Sequence, residues 1–279
     1  MIGFVVLHYK SIEETIICLK KIKNNFEKNK YEIIVVDNNS LKENEIELIK
    51  KYTKDIILLD KNYGFAHANN IGCKYAKEKY KLDFIALINN DLFIDDKMFI
   101  SKIQNSYNKY NFDVLGPYID SPTKESFNPF PVYDTKEKVI HEIKKCQKLI
   151  KIYNSKFLYL LLKIYLKIKH LTFRNNLKDY NGKKIQKNVA VHGCCMIFSK
   201  KYFEKYEDVL FDGTFLYHEE EFLYKRIIND DLISIYDPNI KVFHKEGSAT
   251  KINTKNERLK KLFREKERLK SLNLLLEQM

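Results

Sequence analysis

Four short polar clusters, each next to an apolar run, hold most of the side chains in this chain that could do chemistry. Asp37 closes the run YEIIVVD inside VVDNNS. A carboxylate at a strand end can accept hydrogen bonds from a base or ribose, and the same residue can equally close an Asx-turn. Asn89, Asn90 and Asp91 follow FIALI. Oxygen ligands there suit a hard cation such as Mg²⁺ or Mn²⁺ shared with substrate phosphates, and a polar turn reads the same way. Glu219, Glu220 and Glu221 follow FLYH at the start of a helical stretch. The helix dipole favours acids there, but three adjacent carboxylates repel. One of them at a cleft would have a raised pKa and suit general-base work. His244, in HKEGS, could ligate a metal or donate to phosphate, or be an ordinary satisfied histidine.

These clusters need elements to carry them. Apolar runs and helical stretches alternate through the first half: strands at Ile2–His8, Tyr31–Val36, Ile56–Leu59 and Phe84–Ile88. Helices are expected between them at Ser11–Lys30, Glu43–Tyr52 and His67–Tyr80. That alternation predicts an α/β fold, a mostly parallel sheet flanked by helices, whose ligands bind at the carboxyl ends of the strands. Asp37–Ser40 and Asn89–Asp91 fall at such ends. After a strand at Val114–Ile119, Ser121–Pro131 holds three of the five prolines and reads as a loop. A basic, largely helical insertion follows. Val189–Phe198 reads as a strand, His218–Ile228 as a helix, Ile233–His244 as strands broken at Asp237–Pro238, and the last segment as a charged helix. The expected division is 1–120 and 189–250 as two halves of one domain, 121–188 as the insertion and 251–279 as the C-terminal helix.

The net charge of +13 is unevenly placed. Residues 136–187 hold fifteen Lys/Arg against three Asp/Glu, and residues 251–279 hold nine against four. The rest of the chain is slightly acidic, so one part of the molecule is suited to an anionic surface. Five cysteines without a CxxC pair fit a reducing cytoplasm. The N-terminal IGFVVLHY reads as a first strand rather than a leader.

Taken in order, VVDNNS, NYGFAHANNIG, ALINNDLFI, GCCMIF, FLYHEEEFLYKR and HKEGS resemble the inverting glycosyltransferase family 2 of GT-A fold, in particular its bacterial rhamnosyltransferase-like members. The resemblance covers about Ile2–Ile119 and Val189–Ala249. It implies that His8 and Tyr9 border a nucleotide, that Asp37 contacts the base, and that Asn39 lies nearby. It places Asn62, Gly64, Phe65 and Asn69 around the donor, with Gly64 allowing close backbone approach. Asn90 belongs to the same donor-binding set. Asp91 takes the DXD-type metal and diphosphate role with Mn²⁺ or Mg²⁺, and His244 falls on the HxxGxS histidine near the diphosphate. Glu220 becomes the base that activates the acceptor, and Glu219 its acidic neighbour. The expected partners are a nucleotide-sugar donor (dTDP-rhamnose or a UDP-hexose type) and a glycan or lipid-linked acceptor, in bacterial surface polysaccharide synthesis.

Other readings carry less. A dehydrogenase would want GxGxxG where HYKSIEET stands. A nucleic-acid-binding protein would explain the charge but not the acidic clusters, so no nucleic-acid partner is expected. A catalytically inactive nucleotide-binding module of the same fold remains the alternative. Ser155–Asn175 has Lys156, Lys163, Lys167, His170 and Arg174 recurring beside an apolar run. It is too short and charged to span a bilayer. It suits an anionic membrane surface, or packing on the protein or in a homodimer. The expected location is cytoplasmic, peripheral on the inner face of the membrane.

Overall fold

The structure is a computed structural model and describes residues 1–122, 127–172 (side chains to 167), 184–245 and 256–279. Arg174, the His170 side chain, and Gly247 and Ser248 of the HKEGS motif lie outside the described residues.

The first half alternates strictly. β1 (Ile2–His8), β2 (Tyr31–Asp37), β3 (Asp55–Leu58) and β4 (Phe84–Asn89) are joined through α1 (Ile12–Asn25), α2 (Glu43–Lys50) and α3 (Phe65–Lys79). All seven residues of β1 are buried, as expected of a parallel strand covered on both faces. Its alternate side chains serve two cores. Phe4 and Val6 pack with Cys18, Leu19 and Ile22 of α1, while Val5 and Leu7 pack with Ala66, Ala68, Cys73 and Ala76 of α3. α3 comes this close because Gly72 has no side chain: a Cβ there would sit 2.5 Å from Val5 Cγ1 and 2.7 Å from Val36 Cγ2.

The second half adds β5 (Leu92–Phe93), α4 (Phe99–Tyr110), β6 (Val114–Asp120), α5 (Lys136–Asn154), α6 (Lys156–Thr172), β7 (Gln186–Lys187), β8 (Cys195–Ser199), α7 (Lys200–Lys205), α8 (Glu219–Asn229), β9 (Ser234–His244) and α9 (Glu257–Glu277). Among the described residues the sheet has nine strands in the order β3-β2-β1-β4-β8-β6-β9-β5, with β7 on β9. Strands β1 to β4 are parallel. The parallel arrangement stops at β8, which runs antiparallel to both β4 and β6.

Three expectations are revised. The strand predicted over Val189–Phe198 begins only at Cys195. Ahead of it, side chains take the backbone amides: Asn128 Oδ1 accepts from His192 N at 2.7 Å and Glu220 Oε1 from Gly193 N at 2.9 Å. The C-terminal helix, whose composition reads as a solvated or oligomer-forming element, is docked on α5. Leu272 and Leu275 are buried with Val139 and Cys146 of α5. Arg268 reaches Glu142 of α5 at 3.2 Å and Glu265 on its own helix at 2.9 Å. The break expected at Asp237–Pro238 is a register shift within one continuous β9, beside Pro117 and Tyr118 of β6.

Candidate active site

The carboxyl ends of β1, β2 and β4 open into a cavity of about 470 Å³. Its wall includes Tyr9, Asn38, Asn62, Phe65 and Asn90 from the parallel half, with Phe215, Tyr217 and Phe263 from the second. The wall is predominantly apolar with a few converging amides, a composition typical of small-molecule sites.

Backbone requirements explain much of this wall. Asn38 is buried; its Nδ2 donates to Gly64 O at 2.9 Å and its Oδ1 accepts from Tyr63 N at 2.8 Å. The loop after β2 is thereby tied to the loop before α3. Gly64 has φ +88°, and a Cβ there would lie 2.1 Å from Phe215 O. The close approach it permits is thus to the 215–217 segment, whose Phe215 O also accepts from Phe65 N at 2.9 Å. Asn70 makes a second tie, donating to Leu210 O and accepting from Leu210 N, both at 2.9 Å.

Below the cavity, His8 is fully buried and Nδ1 lies 2.6 Å from Thr15 Oγ1. The Thr15 hydroxyl also lies 3.1 Å from Ser11 O. Asn90 Nδ2 donates to the same hydroxyl at 3.0 Å. His8 Nε2 is buried with no partner. Burial lowers the pKa of this ring, outweighing the opposing charge of Asp37.

Asp37 is not part of the cavity wall. Its carboxylate accepts from Ser40 N, Ser40 Oγ and Leu41 N within 3.3 Å, the Asx-type closure that the sequence left open as one reading. Asn39, at φ +58°, donates to Asp60 O on the exposed side of that loop. Asn69 is buried in α3, donating back to Phe65 O at 3.0 Å, and its Oδ1 has no partner.

A charged centre adjoins the cavity. β5 pairs with β9 so that Leu92 faces His244, which brings His244 Nε2 to 3.1 Å from Asp91 Oδ1. His244 Nδ1 is buried without a partner. His192, which the sequence reading did not single out, stands 6.3 Å ring to ring from His244. Its Nδ1 accepts from Cys194 N at 3.0 Å. Burial, reinforced by His244, lowers the His192 pKa to about 4. The signal for it was its place in VHGCCM immediately before β8, with no spacing to a second ligand to mark it. Asn38 was likewise hidden, one more amide in DNNS.

The glutamates lie at the head of α8, entered through two left-handed residues, Tyr217 (φ +74°) and His218 (φ +72°). That entry turns Tyr217 into the cavity wall. Glu221 meets His218 Nδ1 at 3.1 Å. Glu219 is buried and its Oε1 has no partner. Desolvation and then the neighbouring Glu220 raise its pKa to about 8. Desolvation, then Glu221, raise the Glu220 pKa to about 7 against the hydrogen bond from Gly193 N. Glu220 stands near one residue of the cavity wall, Phe65: a Cβ built on Gly193 would lie 2.9 Å from Glu220 Oε1 and 3.5 Å from Phe65 Cζ.

Among the described residues no cluster of three or more His, Cys, Asp or Glu side chains could hold a metal by itself. One carboxylate and one imidazole converge at Asp91 and His244. That set fits a hard cation whose remaining ligands come from a diphosphate and water, not a closed protein cage.

The sequence model described as "Glycosyl transferase family 2" matches residues 4–207. Comparison with curated proteins found no match. Among solved structures, the chain is similar to S. aureus TarS 1-349, at 12% identity over 95% of this chain and 69% of that one, TM-score 0.54. The same protein in complex with UDP matches at 12% identity over 93% and 68%, TM-score 0.53. GalNAc-T7 with UDP, GalNAc and Mn²⁺ matches at 12% identity over 88% of this chain and 44% of that one, TM-score 0.57. At such identities the structures show a shared GT-A fold.

Proposed function

The chain belongs to glycosyltransferase family 2, and on that premise we propose that it transfers a sugar, with inversion, from a nucleotide-sugar donor to a hydroxyl of a glycan or lipid-linked acceptor. The observation that carries this reading is Glu220: a carboxylate whose pKa is raised to about 7, anchored by the Gly193 amide beside Phe65 at the cavity edge. A general base works best with a pKa near the working pH.

The cavity would hold the donor, with Tyr9, Asn38, Asn62, Phe65 and Asn90 around the nucleotide and His8 beneath it. In the transfer, Glu220 takes the proton of the acceptor hydroxyl as its oxygen attacks the anomeric carbon. The bond from that carbon to the diphosphate breaks on the opposite face, and the nucleoside diphosphate leaves with the electron pair. Help of this kind is worth roughly a hundred- to ten-thousand-fold. Asp91 and His244 would hold Mn²⁺ or Mg²⁺, which would supply charge stabilisation for the leaving diphosphate. UDP in the TarS and GalNAc-T7 structures favours a pyrimidine nucleotide. UDP-hexoses and dTDP-rhamnose are therefore the donors to try first, with a role in surface polysaccharide assembly.

The test is nucleoside diphosphate release from these donors in the presence of candidate acceptors. Glu220→Gln should keep donor affinity and lose transfer by about a hundredfold or more. Near-normal turnover by that variant would remove Glu220 from the mechanism.

A further inference from the structure

α6 is attached to the rest of the chain by a narrow stripe. Tyr159 is buried and meets Tyr153 of α5 edge-on at 5.8 Å, Leu162 is half-buried, and Lys163 reaches Glu257 of α9 at 3.4 Å. With 3.6 residues per turn, Phe157, Leu160, Leu161, Ile164 and Tyr165 fall on the opposite side, and they are 46–67% exposed. Of the fifteen exposed large apolar residues among those described, seven are on this one helix. Contiguous apolar surface of this kind marks a contact with something apolar.

Charge decides what that is. Lys156, Lys163 and Lys167 run along one border of the apolar face, and residues 136–172 hold ten Lys against two Glu. A second copy of the chain would set this lysine-rich border against itself, because a two-fold interface brings the same patch to both sides. An anionic lipid surface answers the apolar face and the charge together. No helix among the described residues is long and apolar enough to cross a membrane, so α6 would lie along the surface.

We propose that α6 docks in the interfacial layer of an anionic phospholipid bilayer, with its apolar face among the acyl chains and its lysines at the headgroups. The docking has a geometric consequence. Lys261 of α9 stands 5.8 Å from the Tyr159 ring, and Phe263, two residues on, lines the cavity. Glu257 and Phe263 are separated by roughly 9 Å along the helix. A bilayer on the outer face of α6 is therefore separated from the cavity wall by α6 and α9.

The experiment is flotation of the full chain with phosphatidylcholine vesicles, with and without phosphatidylglycerol. The full chain should float with the phosphatidylglycerol vesicles and far less with phosphatidylcholine alone, and added salt should weaken binding. Leu160→Glu/Ile164→Glu should lose vesicle binding about tenfold or more with an unchanged melting temperature, since both side chains are half exposed. Lys156→Glu/Lys167→Glu should lose the preference for phosphatidylglycerol. No flotation with anionic vesicles, or equal flotation of the Leu160/Ile164 variant, would overturn the proposal. So would a solution dimer that the same variant dissociates while the chain ignores vesicles; that result would assign the face to a second copy.

Discussion

The backbone N–H of Gly193 donates to Glu220 Oε1 at 2.9 Å, so the turn entering β8 sets the position of a carboxylate at the head of α8. Both segments are placed by the antiparallel insertion of β8 beside β4, where Asn89 N donates to Cys194 O at 3.1 Å. Gly193→Ala would put a methyl group 2.9 Å from Glu220 Oε1. The carboxylate must then shift, and a displacement of about 1 Å at a reacting group can cost roughly a hundredfold. The expected outcome is a fall of that order in kcat with donor affinity retained, read by steady-state kinetics beside a binding titration. Equal losses in both would mean that the turn shapes the cavity, not the base.

The pKa of Glu220, raised to about 7 by desolvation and then Glu221, predicts the pH profile. The base works only when deprotonated, so kcat should rise with pH through an acid limb near neutrality, not near 4.5. Glu221→Gln removes a charge that pushes this pKa up, so the limb should move to lower pH. A limb that stays in place would separate the two carboxylates.

Stability should carry the opposite sign. Glu219 is buried with an unpartnered oxygen, and its pKa is raised from 4.5 to about 8. The folded chain therefore keeps a proton that the unfolded chain releases, and its stability falls as pH rises through that window. Glu219→Gln removes the titration. Its melting temperature should gain on that of the unsubstituted chain between pH 4.5 and about 8, with no such gain below the window. Parallel curves for the two proteins would contradict the burial of a protonated Glu219.

The parallel half was legible because its pattern is local. β1 and β4 are unbroken apolar runs, and β2 is one interrupted only by Glu32, each ending in polar residues, so strand ends and candidate site residues could be read together. The docked α9 was not legible. Its buried Leu272 and Leu275 sit in a strongly charged helix, and its Arg268 pairs with Glu142, a residue 126 positions away. Gly64 showed the need for a close approach, but nothing local named Phe215 as the group approaching. For Asp37 the sequence offered two chemistries, and the geometry gives its oxygens to Ser40 and Leu41. His192 and Asn38 act through backbone atoms and partners far along the chain, for which sequence spacing carries no signal.

Whether the cavity between Tyr9 and Phe263 holds a nucleotide beside a cation at Asp91 is read out by thermal unfolding. The purified chain would be melted against UDP, dTDP, GDP and CMP, each with and without Mn²⁺. A ligand that binds only the folded state at a hundred times its Kd adds about 2.7 kcal/mol. Metal-dependent stabilisation by UDP or dTDP, abolished in Asp91→Ala, is the expected result. No stabilisation by any nucleotide, or an equal shift in Asp91→Ala, would contradict it.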